Sequence, residues 1–220
     1  MAATLAQRIQ DLIGFDYSSN SINSEDEALE TACAEVIDLL PDSLLLKYAV
    51  APTPITSSGP DATFASEGKK VIRVIRKDGS SINRVCEEVD IDAFEDMKDT
   101  KSIYFPTAYS PIYTIDPGVG TPYLKIRPLI NGGLTASVYY ITYPKGKISG
   151  KDEIEGLPNE VEHAIALKAS IYILQTMISD TVQDEEDDEI LNMLNNQLQS
   201  LAAMYQAEIQ RLVGIEEVSK

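Results

Sequence analysis

The spacing of apolar residues is the feature that most constrains the fold, because it is helical at both ends of the chain and strand-like in the middle. Residues 161–178 place apolar side chains nearly all round a helix, and residues 191–212 repeat them every seven residues. Between residues 70 and 143, short β-branched runs alternate with Pro and Gly turn signals. A helical spacing of apolar residues does not give a strand one apolar face, and the spacing of a strand does not give a helix one. The two patterns together therefore exclude an all-helical chain and an all-β chain.

The sequence therefore predicts an α+β fold, in which N- and C-terminal helices form a bundle. An antiparallel β-rich domain, either a small sandwich or a barrel, is inserted between them. Stretches rich in Pro, Gly, Ser and Thr predict two linkers. The predicted divisions are N-terminal helices in 1–50, a linker in 51–68, the β-rich insert in 69–146, a second linker in 147–158, a C-terminal helical pair in 159–213 and a flexible tail in 214–220.

Local signals place the individual elements. Apolar residues from Leu5 to Ile13 stop at Gly14, which predicts a helix with a glycine C-cap. A second apolar helical stripe ends at Pro41, which cannot continue a helix. Short β-type runs predict strands at residues 70–76, 82–89, 103–105, 112–115, 123–126 and 134–143.

Charge is distributed unevenly along the chain. The 220 residues include 35 acidic and 18 basic side chains, a formal net charge of −17. Residues 1–68 have a net charge of −9, residues 69–150 of +3 and residues 151–220 of −11. Because a sequence-independent DNA-binding protein needs cations to neutralise phosphates, this distribution argues against one. A basic middle between acidic ends instead favours head-to-tail contact between copies of the chain.

Basic side chains on the first predicted hairpin, among them Arg73, Arg76 and Arg84, have two interpretations. They either contact phosphates or complement an acidic protein neighbour, and the second is favoured in so acidic a protein. No combination of residues predicts catalysis, a cofactor or a metal, so the chain is not expected to be an enzyme.

Several motifs that could carry chemistry have structural explanations. The acidic run 183–189 (QDEEDDE) has no central Gly for a calcium loop, so it predicts a helix N-terminus. Gly118-Val119-Gly120 has no Gly-Lys-Ser/Thr after it and predicts a hairpin turn. His163 has no partner for nucleophilic catalysis, and Cys33 and Cys86 are expected to be buried thiols.

Membrane and export signals are not expected. Residues 161–178 are the most apolar stretch, but Glu162, His163 and Lys168 within it predict a buried helix and not a membrane span. Residues 1–10 lack the apolar core of a secretory signal. With two cysteines and no pairing pattern, the chain is expected to be a soluble protein of a reducing compartment.

Four segments in order resemble a known family. They are residues 35–41 (EVIDLLP), 110–116 (SPIYTID), 140–144 (YITYP) and 156–162 (GLPNEVE), followed by a coiled final helix. In this order they resemble the head-to-tail adaptor proteins, also called connector or neck proteins, of tailed bacteriophages. The resemblance covers most of the chain. In that family the helix after the β insert typically opens with Leu/Phe-Pro and a polar pair, and residues 157–178 match.

The resemblance implies a structural virion protein, made in the host bacterial cytoplasm and located in the virion neck. It implies a homo-oligomeric ring, commonly of twelve copies, that lies beneath the portal protein, extends the DNA channel and docks the tail or further neck proteins. Genomic DNA would pass through without specific binding, because an acidic lumen repels phosphate, and no membrane is involved. Two alternatives remain: another phage tail or neck component, such as a tail-completion or baseplate protein, and an acidic cytosolic protein-binding module.

Three sets of residues are predicted to make the protein contacts. The tyrosines Tyr104, Tyr109 and Tyr113 are expected to be exposed and to suit protein–protein contact. The terminal residues Ile215, Glu216, Glu217 and Val218 are predicted to dock on the portal or tail. The predicted oligomer interface comprises Ile165, Ile171, Tyr172, Leu174, Ile178, Leu191, Leu194, Leu198, Leu201, Tyr205, Arg73, Arg76 and Arg84.

Overall fold

A computed structural model of the chain describes residues 3–14, 25–57, 62–78, 82–99, 101–118, 121–128, 135–154, 156–183 and 188–214. It has helices at both ends and strands in the middle, which confirms the predicted α+β class. The chain divides into two compact units, a helical unit of Met1–Leu44 with Tyr143–Lys220 and a β unit of Leu45–Thr142. The predicted C-terminal docking residues 215–218 lie outside the described residues.

Six helices are described, numbered in chain order. They are α1 (Leu5–Ile13), α2 (Glu25–Leu39), α3 (Asp42–Leu45), α4 (Ile91–Asp96) within the β unit, α5 (Asn159–Gln183) and α6 (Asp188–Gly214). The C-cap predicted at Gly14 is confirmed, since its φ is 84° and its N–H donates to the carbonyl of Gln10. A capping box between Thr4 and Gln7 closes the other end of α1. Among the described helices, none is long and apolar enough to cross a bilayer.

Helix α5 is the centre of the helical unit. It packs against α1, α2 and α6, and Val161, Ile165 and Leu174 are buried along its length. Because its apolar residues lie nearly all round the helix, α5 is stable only when covered on several sides. Burying one such side chain contributes roughly 1.5–3 kcal/mol, so these contacts account for most of the cohesion of the bundle.

The segment 147–158, predicted as a linker, is fixed to the helical unit. The Asp26 carboxylate accepts hydrogen bonds from the backbone N–H groups of Ile148 and Ser149, both at 2.8 Å. Ile148 and Ile154 are buried. The prediction of a linker is corrected, because the Asp26 carboxylate of α2 and two buried isoleucines fix this segment to the helical unit.

Eight strands are described in the β unit. They are β1 (Thr53–Ser57), β2 (Ala62–Ala65), β3 (Lys69–Lys77), β4 (Asn83–Val85), β5 (Glu87–Glu88), β6 (Ile112–Asp116), β7 (Tyr123–Arg127) and β8 (Ala136–Thr142). Their order across the sheet is β4-β3-β8-β1-β2-β7-β6-β5. All pairs are antiparallel except β5 with β6, which is parallel and departs from the predicted antiparallel arrangement.

The two ends of this strand order are one stretch of chain. β4 and β5 are separated only by Cys86, and β4 pairs with β3 whereas β5 pairs with β6. The N–H of Cys86 donates to the carbonyl of Val74, and the N–H of Glu87 donates to that of Pro111, both at 2.9 Å. The sheet therefore closes on itself as a small barrel around a shared apolar core.

Two further predictions about the β unit are corrected. The linker predicted over 51–68 instead contains β1 and β2, which pair with β8 and β7. Their Thr, Ser and Ala residues show little apolar alternation, so the sequence pattern alone did not indicate strands. Residues 103–105, predicted as a strand, form turns. Ile103 is 89% exposed there, so no partner strand covers it.

Candidate interaction surfaces

Five of the predicted interface residues are buried by the chain's own packing. Their exposed fractions are between 0 and 7%, and a side chain covered within one chain is not reached by a neighbouring copy. They are Ile165, Ile171, Leu174, Leu194 and Leu201. The structure corrects their assignment to the core of the helical unit, while Ile178, Leu191 and Leu198 are half-buried.

The other two predicted residues of the helical unit, Tyr172 and Tyr205, belong to a polar cluster with Lys168 and Glu35. The Tyr172 hydroxyl donates to the Glu35 carboxylate, and Lys168 Nζ lies 3.0 Å from Glu35 Oε2. The Lys168 ammonium also lies over the rings of Tyr172 and Tyr205, at 4.8 and 5.4 Å from their centroids. These contacts join α2, α5 and α6, so they stabilise the unit itself.

Electrostatics within this cluster follow from its contacts. The hydrogen bond from Tyr172, together with Lys168, lowers the pKa of the Glu35 carboxyl below its ordinary value. Burial, with the Glu35 acceptor beside it, raises the pKa of the Tyr172 hydroxyl. The ion pair is therefore fully formed at neutral pH, and the tyrosine remains a hydrogen-bond donor.

Two of the three predicted interface arginines serve the interior of the β unit. Asp78 is fully buried, and its carboxylate accepts from Arg84 Nε at 3.1 Å and from the Ile82 N–H at 3.0 Å. Arg76 is 3% exposed, and burial lowers the pKa of its guanidinium. Because Arg76 is buried and Arg84 is tied to Asp78, Arg73 is the exposed member of the predicted set.

The residues singled out for chemistry take structural positions. Burial raises the pKa of the Cys33 and Cys86 thiols to about 12, so neither is a reactive thiolate at neutral pH. His163 is exposed in the first turn of α5. Gly118 lies between β6 and β7 with a φ of 55°. Within the described ranges, no group of three or more His, Cys, Asp or Glu side chains is placed to hold a metal ion.

Residues 102–110 of the β unit, the tyrosine loop, present apolar side chains outward. Ile103 is 89% exposed, and Tyr104 and Tyr109 are each 70% exposed, as predicted for the two tyrosines. The third tyrosine prediction is wrong. Tyr113 is buried on β6, and its hydroxyl donates to Glu88 at 2.9 Å.

The tyrosine loop is held in shape by its own polar side chains. Ser102 Oγ accepts from the N–H of Tyr104, and Thr107 Oγ1 accepts from those of Tyr109 and Ser110. The Arg84 guanidinium lies 5.5 Å from the centre of the Tyr109 ring. The exposed apolar residues therefore stand on a locally ordered loop, which lowers the entropy lost if they are covered.

A second surface, which sequence reasoning missed, lies on α6. Residues 190–207 form eighteen consecutive positions without a charged side chain, about 27 Å of helix at 1.5 Å per residue. Ile190, Met193 and Met204 are 41, 52 and 45% exposed. The uncharged face of α6 consists of these exposed residues: Ile190, Met193, Asn196, Ser200, Met204 and Ala207. The run of uncharged residues in the sequence could have indicated this face. The seven-residue apolar repeat indicated only the side of α6 that is buried.

Charge separates the two units more sharply than the sequence segments do. The helical unit contains 24 acidic and 7 basic residues, a net charge of −17, whereas the β unit contains 11 of each and is neutral. The insert was expected to be basic because the segment 69–150 includes Lys145 and Lys147, which belong to the helical unit, and leaves out Asp61 and Glu67, which belong to the β unit. The whole excess of negative charge therefore belongs to the helical unit.

Comparison of the chain with known protein families finds none that matches, and comparison with curated proteins finds no match either. The two surfaces are therefore interpreted from their own chemistry.

Proposed function

We propose that this protein is a non-enzymatic structural component of the neck of a tailed bacteriophage. In this role it is a head-to-tail adaptor, located in the virion, that forms an oligomeric ring beneath the portal protein. The ring extends the DNA channel and offers a docking surface to the tail or to further neck proteins. The proposal rests on the resemblance of four sequence segments to that family and on the distribution of charge in the structure.

The observation that supports it most directly is the concentration of charge in one unit. A helical unit with 24 acidic and 7 basic residues repels the phosphates of DNA. A channel that conducts DNA has to release its cargo, so repulsion is useful where binding would hinder passage. The same unit exposes one long helix face without charge, through which copies can approach one another despite their net charge.

The first experiment measures the assembly state of the purified chain. Mass photometry over a range of concentrations, followed by negative-stain microscopy, should detect closed rings with a central channel. The same measurement is repeated with the portal protein of the same particle added. A chain that stays a single copy at every concentration, and forms no ring with the portal protein, would overturn the proposal.

A DNA shift assay separates a conduit from a DNA-binding protein. At low salt, the assembled protein should not retain double-stranded DNA. Retention that weakens with salt, and that is lost in Arg73→Ser, would instead favour the phosphate-contacting interpretation of β3. Lys147→Ser is the matched control, because it removes an exposed cation from the helical unit.

A further inference from the structure

We propose that the tyrosine loop of one copy docks on the uncharged face of α6 of the next copy. This inference rests on the proposed ring and names the two surfaces that would form it. The two surfaces differ from each other, so the contact is heterologous. A heterologous contact repeats from copy to copy and closes into a ring when the rotation permits, whereas a symmetric contact stops at two copies.

Both surfaces combine exposed apolar side chains with an absence of charge. Residues 102–110 contain no charged side chain, and neither do residues 190–207. Ile103 and Tyr104 project from the loop, and Met193 and Met204 are half-exposed on the helix. Methionine side chains adapt to an aromatic ring and make favourable sulfur contacts with it. The amide and hydroxyl groups of Asn196 and Ser200 can pair with tyrosine hydroxyls at the rim.

The net charges of the two units favour contact between the α6 face and the β unit of a second copy over contact with its helical unit. Contact between two α6 faces would bring together two units that each have a net charge of −17. The β unit is neutral, so its approach avoids that repulsion, which acts over a Debye length of about 8 Å at physiological salt.

Charge also favours an orientation for the docked loop. The exposed Lys101 precedes the tyrosine loop, and α6 begins with Asp188 and Glu189 at the end of the acidic run 183–189. With Ile103 and Tyr104 on the methionines, Lys101 faces the acidic start of the helix. The attraction between Lys101 and these carboxylates should therefore weaken as salt is raised.

Two variants test the pairing. The loop variant combines Ile103→Ser with Tyr104→Ser, and the face variant combines Met193→Glu with Met204→Glu. All four side chains are exposed, so each variant should keep the circular dichroism spectrum and melting temperature of the wild type. Each should lower the affinity between copies about ten- to a hundredfold, as expected for loss of central apolar contacts. Each variant alone should therefore be a single copy in mass photometry.

Matched controls remove comparable groups elsewhere. Val50→Ser with Ile115→Ser removes two exposed apolar side chains from the β unit outside residues 102–110. Gln199→Glu with Gln206→Glu adds two negative charges to α6 on a different side of the helix from the methionines. Both control variants should assemble like the wild type.

Mixing the two variants is the decisive measurement. The loop variant retains an intact α6 face, and the face variant retains an intact loop, so an equimolar mixture should form one-to-one dimers that grow no further. If the loop variant assembles normally while the face variant does not, the contact is between α6 faces and the inference is wrong. If both variants form wild-type rings, the interface lies elsewhere, and the proposed adaptor function is unaffected. A wild-type chain that never assembles overturns both.

Discussion

The helical unit and the β unit stabilise their interiors in the same way but differ in net charge. Each buries a carboxylate: Glu162 accepts from the Ile154 N–H at 2.6 Å and from Arg8 at 3.1 Å, and Asp78 accepts from Ile82 and Arg84. Outside, one unit has a net charge of −17 and the other has none. The excess of negative charge therefore belongs to the helical unit, where a few carboxylates such as Glu162 also hold the interior together.

Exposed apolar side chains have different surroundings in the two units. In the neutral β unit, the tyrosine loop stands among mixed charges, and its exposure is a local property of a turn held by Ser102 and Thr107. In the helical unit, an uncharged face is exceptional against its acidic background. A large exposed apolar patch on a soluble chain usually marks an interaction site, and the charge contrast makes the α6 face the clearer one.

The largest expected effect is a charge placed in the core of the helical unit. Leu201→Asp buries an unpaired carboxylate where the leucine is 2% exposed, and we expect a loss of about 4 kcal/mol in the free energy of unfolding. Urea unfolding followed at 222 nm measures it. Leu198→Asp is the matched control on the half-buried edge of α6 and should cost less than half as much. Equal losses would contradict the packing described for α6.

The second prediction asks whether the β unit has a core of comparable importance. Leu124→Ala removes a fully buried side chain from the barrel, and we expect a loss of about 3 kcal/mol. Near-ultraviolet circular dichroism of the tyrosines and amide hydrogen exchange on β3 and β8 report it. Ile115→Ala, at an exposed position on β6, should change stability by less than about 0.5 kcal/mol. A Leu124→Ala protein as stable as the wild type would show that the barrel core is loosely packed.

The smallest effect concerns pH and the helical unit alone. The folded pKa of Glu35 is lowered from 4.5, so its ion pair stabilises the fold above about pH 4.5 and loses that contribution as the pH falls through the lowered value. Since Glu35 is largely exposed, we expect well under 1 kcal/mol after screening.

Glu35→Gln should remove this part of the acid dependence, so the stability difference between wild type and variant should shrink from pH 6 to pH 3. Melting temperatures across that range measure it. Tyr172→Phe removes the hydrogen bond that lowers the pKa most and should shift the same transition upward in pH. Parallel curves for wild type and Glu35→Gln would contradict the assigned pKa direction.

The sequence predicted the helices and most strands because their patterns are strong and local. The all-round apolar pattern of α5 and the β-branched run of β3 leave little choice of structure. β1 and β2 escaped prediction, because TPITS and ATFA become strands only by pairing with β8 and β7.

The burial of the helical apolar residues was harder to predict than the fold. An apolar residue in a helical repeat looks the same whether its own chain or a neighbouring copy covers it, so Leu194 and Leu201 were assigned to an interface although they are buried in the core. Exposure is decided by which helix faces α5, and that depends on tertiary packing. The absence of charge from residue 190 to residue 207 was the part of the signal that did not depend on packing.

The helical unit is assembled from two separated parts of the chain, and this has a consequence for biosynthesis. The β unit is complete in the growing polypeptide before any of α5 has been made, whereas α2 ends about 120 residues before α5 begins. At a synthesis rate of about 5–20 residues per second, roughly 6–24 seconds pass between completion of α2 and the start of its partner α5. The β unit is synthesised during that interval, while the apolar side of α2 lacks its partner helix, so the helical unit is the last part of the chain that can close.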